Sequence, residues 1–260
     1  MPFGWLADDG SHRTHISGNF HHRVKPLATA LDGTEQLAQT RRAAAKASKG
    51  ISDDAIYDAI VQRLAALDVR GDVLDFGAGV GLLTHHLART DRFRSVSGAD
   101  LLARPGELPE SIGWHSQDLN SPLEIPSSSL DAIVACEVIE HLENPRAVVR
   151  DWFRMLRRGG LAILTTPNNE SLRAVIALLV RGHFVSFGDT CYPAHITALL
   201  RKDVQRIFSE AGFDEIGFDH VARGGIPLIP WVTWQDVSGG LLRGARFSET
   251  LVAWGRKPGR

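Results

Sequence analysis

From Asp72 to Pro167 the chain alternates short apolar runs with segments of helical period, an order few folds accommodate. DVLDF (72–76), RSVSGAD (94–100), IGWHSQD (112–118), LDAIVACE (130–137) and LAILTTP (161–167) read as strands. VGLLTHHLART follows the first strand as a helix. ENPRAVVRDWFRMLRRGG precedes the fifth as another, ending at its double glycine. Strands separated in this way predict a parallel sheet with helices on both faces. Upstream, TEQLAQTRRAAAKASKG (34–50) and SDDAIYDAIVQRLAAL predict two helices. The second has Ser52 as N-cap and one apolar face of Ile56, Ala59, Ile60, Leu64 and Leu67. Downstream, SLRAVIALLV predicts a short apolar helix, GHFVSFGDTCYPAH a loop, 197–213 a helix and ETLVAWGRKP a last strand. Residues 1 to about 30, rich in His, Gly, Ser and Asn, have no clean period and read as mobile or loosely docked.

Composition removes several function classes. The 29 Lys and Arg nearly balance 30 acids, for a net charge of −1, so nothing in the total points to nucleic acid or an anionic membrane. Cys136 and Cys191 are too few for a disulfide framework. MPFGWLADDG carries an acidic pair where a signal peptide needs positive charge. The longest aliphatic run, AVIALLV (174–180), falls short of the ~18 residues a membrane span needs. A soluble, reducing, cytoplasmic setting without a membrane span is the expectation; oligomeric state is left open.

Chemistry concentrates first at VLDFGAGVG (73–81), where a strand ends at Asp75–Phe76 and Gly77, Gly79 and Gly81 open a helix. Glycines there permit a sharp turn and a close backbone approach to a ligand, with the N–H groups of the first helical turn expected to face it. A dinucleotide fingerprint counted from Gly77 would need a glycine at Leu82, so the spacing is G-x-G-x-G instead. The second strand ends in Asp100, about twenty residues on, where an acid can accept hydrogen bonds from ribose hydroxyls. The third ends in Gln117–Asp118–Leu119, and CEVIEHLENP follows the fourth.

This set resembles the class I S-adenosylmethionine-dependent methyltransferases, in particular the subgroup with the ubiquinone-biosynthesis O-methyltransferases. The resemblance covers roughly residues 50–215 and the final strand. It implies a Rossmann-like, doubly wound, seven-stranded α/β sheet, mostly parallel with its last strand antiparallel. It also implies S-adenosylmethionine as cofactor. Asp75, Gly77, Gly79 and Gly81 would surround the methionine part, Asp100 the ribose, and Asp118 and Leu119 the adenine, with Glu137 lining the floor. Residues 1–50 would form a helical lid on a methyltransferase domain at 51–260, with a substrate-side insertion at about 168–196.

For catalysis the candidates are His141, after the fourth strand, and His195, after the insertion. Either could take a proton from a hydroxyl acceptor, or His141 could hold the backbone of the next segment. The reading is transfer to a small or medium-sized acceptor at oxygen, with no metal and no nucleic-acid partner. A sharper alternative joins Glu137, Glu140 and His141 on one helical face with His195 around a divalent ion. Small-RNA 3′-terminal 2′-O-methyltransferases look similar there. A silent cofactor-binding partner subunit is a third possibility. His85–His86 read as packing or exposed residues, and Arg41, Arg42, Lys46 and Lys49 as a solvated helix face rather than a phosphate site. Trp231 and Trp234 have three open roles: pocket roof, subunit contact or core.

Overall fold

The structure, a computed structural model, describes residues 33–48, 50–227 and 229–259. The expectations for residues 1 to about 30 and for Lys49 lie outside the described residues, as does the Lys46 side chain. Helices α1 (Gly33–Ser48) and α2 (Asp54–Ala66) lead into β1 (Gly71–Phe76), α3 (Leu82–Ala88), β2 (Phe93–Asp100), β3 (Gly113–Ser116) and β4 (Leu130–Cys136). Then come α4 (Pro145–Met155), β5 (Leu156–Pro167), α5 (Leu172–Arg181), α6 (Arg201–Ala211) and β6 (Asp214–Val221). A hairpin, β7 (Gly225–Ile226) and β8 (Ile229–Thr233), the short α7 (Trp234–Val237) and β9 (Thr250–Arg256) complete the chain.

Seven strands form one sheet in the order β3-β2-β1-β4-β5-β9-β6. The pairs from β3 to β5 are parallel, and β9 runs antiparallel to both β5 and β6. This is the Rossmann-like, doubly wound arrangement expected, with its last strand reversed. Period-two alternation sorts the core. Val73, Ala132, Val134, Leu161 and Ile163 meet α2 and α3 on one face. Leu74, Phe76, Ile133, Ala135, Ala162 and Leu164 meet α4 and α6 on the other, where fully buried Trp152 stands edge-on to Phe76 at 5.2 Å.

Three local expectations need correction. The N-cap of α2 is Asp53, whose side chain accepts from the Ala55 N–H at 2.9 Å; the Ser52 N–H instead donates to the Tyr57 hydroxyl. Helix α4 stops at Met155, short of the double glycine. The Ser128 and Ser129 N–H groups take the carbonyls of Arg154 and Met155, and the Lys257 ammonium takes those of Phe153 and Leu156. With its last carbonyls claimed from outside, the chain leaves the helix and Leu156–Gly160 become the start of β5. Helix α6 starts at Arg201 rather than 197: the Arg201 N–H, which a helix from 197 would give to the Thr197 carbonyl, donates to Glu170 Oε2 at 3.0 Å, and the Leu199 carbonyl accepts from the Asn169 amide at 3.0 Å.

Candidate active site

The C-terminal ends of β1, β2 and β4 open on a cavity of about 600 Å³, where ligands of open α/β sheets bind. Its base is the glycine turn. Gly79 has φ +53°, and a Cβ there would strike the backbone of Gly50, in the connection from α1 to α2. At Gly77, with φ +84°, a Cβ would strike the Val138 side chain. Both line the cavity. Gly81 is not among the lining residues: it caps α3 in the left-handed conformation, with the Leu108 side chain against it.

The expected ligand-facing N–H groups are those of the first helical turn, from Leu82; in the glycine turn before it, donors have partners within the protein. Gly77 and Ala78 donate to the Ala99 carbonyl at 2.8 and 3.0 Å, Gly79 to Asp100 Oδ2 at 2.8 Å, and Gly81 to the Ala78 carbonyl at 2.7 Å. Those donors are spent within the protein, so Gly77 and Gly79 offer room and shape rather than an anion nest. A cationic ligand has no need of one.

The acids take distinct positions. Asp75, 1% exposed, faces α3 and accepts from the Thr84 hydroxyl at 2.6 Å; burial pushes its carboxyl up to about 7 despite that bond. Asp100 accepts from the Gly79 N–H through one oxygen and the Leu102 N–H through the other, both at 2.8 Å. Each oxygen keeps a further lone pair. Asp118 and Leu119 line the same cavity. Asp118 accepts from the Asn120 N–H and side-chain amide, and from Arg41; against the opposing effect of burial, these hold its carboxyl below the usual range.

The CEVIEHLENP segment does not form one helical face. Glu137 adopts φ +53°, and only Ile139–His141 make a 3₁₀ turn. Glu137 lines the cavity with Oε1 buried and unpartnered. Glu140 is fully buried beside it, off the cavity wall, with Oε2 accepting from the Thr166 hydroxyl at 3.1 Å and Oε1 unpartnered. Burial, and their mutual repulsion at Glu140, raise both carboxyls above their ordinary range.

His141 and His195 both line the cavity and meet edge-to-face, ring centres 4.8 Å apart. Burial keeps both below the ordinary imidazole value. His141 Nδ1 bonds the Ala194 carbonyl at 2.8 Å, so this ring ties the 190–196 loop to the end of β4. His195 Nδ1 is buried with no partner. Glu140, His141 and His195 bring donor atoms within 4.8 Å of one another, and Glu137 falls outside that set.

Sequence reasoning missed several lining residues. Tyr57, on α2, reaches the cavity, and burial pushes its phenol up to about 12. Arg41 is no solvated residue: it pairs with Asp118 and with Glu143 at 2.8 Å, while Arg42 stays exposed. The helical period of α1 places Arg41 on the face with Ala44 and Ala45, which the sequence alone shows; its partners are far off in sequence. His85 is exposed, and His86 stacks near Tyr57. Trp231 is exposed and Trp234 packs on Phe247, and neither lines the cavity. Within the insertion, the part that reaches the cavity is 190–196.

A methyltransferase-domain family model matches residues 51–216. The chain belongs to the methyltransferase-domain family. Within that family it is 32% identical over 156 residues to a ubiquinone biosynthesis O-methyltransferase of Xanthomonas oryzae, covering 53% of this chain and 64% of that protein. A protein of the same name from Psychrobacter arcticus is 23% identical, over 58% of this chain and 63% of that one. The chain thus spans less than two thirds of the length of these relatives. The crystal structure of a SAM-dependent methyltransferase from Archaeoglobus fulgidus shares the methyltransferase-domain fold. Its TM-score is 0.56 at 15% identity, over 87% of this chain and all of that one.

The cavity of this family member fits S-adenosylmethionine. Gly77 and Gly79 line it without side chains, Asp100 keeps a spare lone pair on each oxygen for ribose hydroxyls, and Asp75 and Glu137 add carboxyls to the same wall. Leu102, Leu119 and Leu142 supply apolar wall for a flat base. Among the described residues no helix is long and apolar enough to cross a membrane.

Proposed function

We propose that this protein transfers a methyl group from S-adenosylmethionine to an oxygen of a small or medium-sized acceptor. The observation that carries the reading is continuity. One cavity runs from the glycine turn and Asp100, past Glu137, to His141, His195 and residues 190–196, so cofactor and acceptor would share it. The names of the O-methyltransferase relatives support oxygen as the target. In this reading residues 33–50 form a lid on a 51–260 domain.

Bound cofactor supplies a methyl group already activated on sulfur. The protein then has three tasks: to bind, to orient the acceptor in line, and to remove its proton. Asp100 would offer its spare lone pairs to the ribose, and Asp75 and Glu137, whose carboxyls burial raises, would line the methionine end. His195, which lines the cavity and is kept neutral because burial disfavours its cation, is the candidate to take the acceptor's proton. His141 is a positioning residue, holding the 190–196 loop through Ala194. The cofactor would supply the methyl group, and His195 would hold the proton that the acceptor oxygen gives up. The test is methyl transfer from labelled cofactor into a cell extract split into small-molecule and RNA fractions. Label in the small-molecule fraction supports the reading; label only in RNA, or none in either, overturns it.

A second reading has one observation of its own. Glu140, His141 and His195 cluster within 4.8 Å with two buried donor atoms unpartnered, a set that would suit a divalent ion beside the acceptor. Activity lost to EDTA, restored by Mn²⁺ or Mg²⁺ and absent in Glu140→Ala would select this metal-assisted version. Activity indifferent to EDTA selects the metal-free one.

A further inference from the structure

The sequence expectation gave Asp118 to the cofactor's adenine, but the structure gives it another partner. Its Oδ1 accepts from the Asn120 N–H and side-chain amide at 3.0 and 3.2 Å. Its Oδ2 takes Nη1 of Arg41, seventy-seven residues away on α1. The same guanidinium donates through Nε and Nη2 to the two oxygens of Glu143, at 3.1 and 2.8 Å. The Glu143 N–H in turn donates to Asn120 Oδ1 at 2.9 Å, so Asn120 links the Asp118 carboxylate to the backbone of Glu143. Charge-assisted bonds of this fork geometry are the stronger kind, and here the side chains of Arg41 and Asp118 are mostly covered.

The bridge sits where it controls access. Thr40, Arg41, Ala44 and Ala45 of α1 line one side of the cavity, and Asp118 and Glu143 line the side they face. Beyond α1 the chain returns across the glycine turn, with Gly50 packed backbone to backbone on Gly79. Helix α1 therefore walls the cavity, and Arg41 joins it to the facing side through Asp118 and Glu143.

We propose that Arg41 is a positioning residue for the cofactor: by bridging Asp118 and Glu143 it latches α1 over the cavity, and the cofactor exchanges only as this bridge opens. Asp118 serves as the catch of that latch. The inference rests on the cofactor reading above for the identity of the ligand, not for the latch itself. The Glu143 arm, with that side chain 44% exposed, is open to ionic screening, which shortens from ~10 Å at 0.1 M salt to ~3 Å at 1 M, so salt loosens this arm of the latch.

Two measurements test it. In ligand-free protein, hydrogen exchange of α1 amides quickens in Arg41→Ala and less so in Glu143→Gln, which keeps the Asp118 arm, while α2 is unchanged. In stopped flow, S-adenosylhomocysteine leaves Arg41→Ala roughly tenfold faster than wild type, the scale of one charged hydrogen bond. Raising salt speeds release from wild type but not from the variant, and KM for the cofactor rises more than kcat falls. Unchanged α1 exchange in Arg41→Ala overturns the latch. So does equal, equally salt-dependent release from protein that binds the ligand. Wild type that binds no S-adenosylhomocysteine overturns the cofactor reading, a failure visible separately because the exchange measurement needs no ligand.

Discussion

Asp75 is a carboxyl that the fold prefers uncharged. Its acid is held near pH 7 by burial, against about 4 in an unfolded chain. Between those values the folded state keeps a proton the unfolded state has lost, so this group's contribution to stability is full below about pH 4 and is lost as pH rises through 7. Thermal melts of ligand-free Asp75→Asn should therefore show a gain over wild type that grows from pH 4 to 8, reaching about 4 kcal/mol at most. Parallel melting curves across that range would contradict the assignment. His195 is tested by turnover instead. His195→Gln should lower kcat about 10²- to 10⁴-fold with S-adenosylhomocysteine affinity unchanged, as calorimetry would read it. Asp75, Asp100 and Glu137 were legible as candidates because each follows a strand. The unpartnered states of Glu137 Oε1 and His195 Nδ1 were not, since they depend on which neighbours fail to reach them.

Elements were legible where their signal is local. Strands β1, β2, β4 and β9 and helices α2, α3 and α5 carry their own periodicity, and the structure has them close to the expected bounds, whereas β5 starts five residues early and the β7–β8 hairpin lies in a stretch with no strand expected. The C-terminal end of α4 and the start of α6 were not legible, because distant groups decide them: Ser128, Ser129 and Lys257 for one, Glu170 and Asn169 for the other. The glycine turn mixes both kinds of information. Its need for Gly77 and Gly79 shows in the spacing, but the reason at Gly79 is the approach of Gly50, twenty-nine residues earlier. Gly79→Ala must accommodate both a left-handed φ and that collision. It should cost at least 1–2 kcal/mol in denaturant unfolding and abolish measurable S-adenosylhomocysteine binding. A variant with native stability and native affinity would show that the loop yields more readily than its packing implies.

At the scale of the whole molecule, the cavity joins parts far apart in the chain. The sheet ends supply its floor, and α1, the Gly50–Ser52 connection and the 190–196 loop its walls. A ligand that touches all of them binds only the assembled form, so at a hundredfold excess over Kd it should add about 2.7 kcal/mol to unfolding. A rise in Tm with S-adenosylhomocysteine, absent with adenosine alone at equal concentration, would check it. Sequence by itself determined the alternation of strands and helices, the glycine turn, and the acids at the strand ends, because period and turn chemistry act over a few residues. Tertiary structure alone decided that Arg41 meets Asp118 and Glu143, and that Glu140 lies sealed behind Glu137. It also decided that His141 holds a loop while His195 keeps a free nitrogen. Those outcomes depend on contacts between residues far apart in the chain, and no local pattern encodes which distant groups will meet.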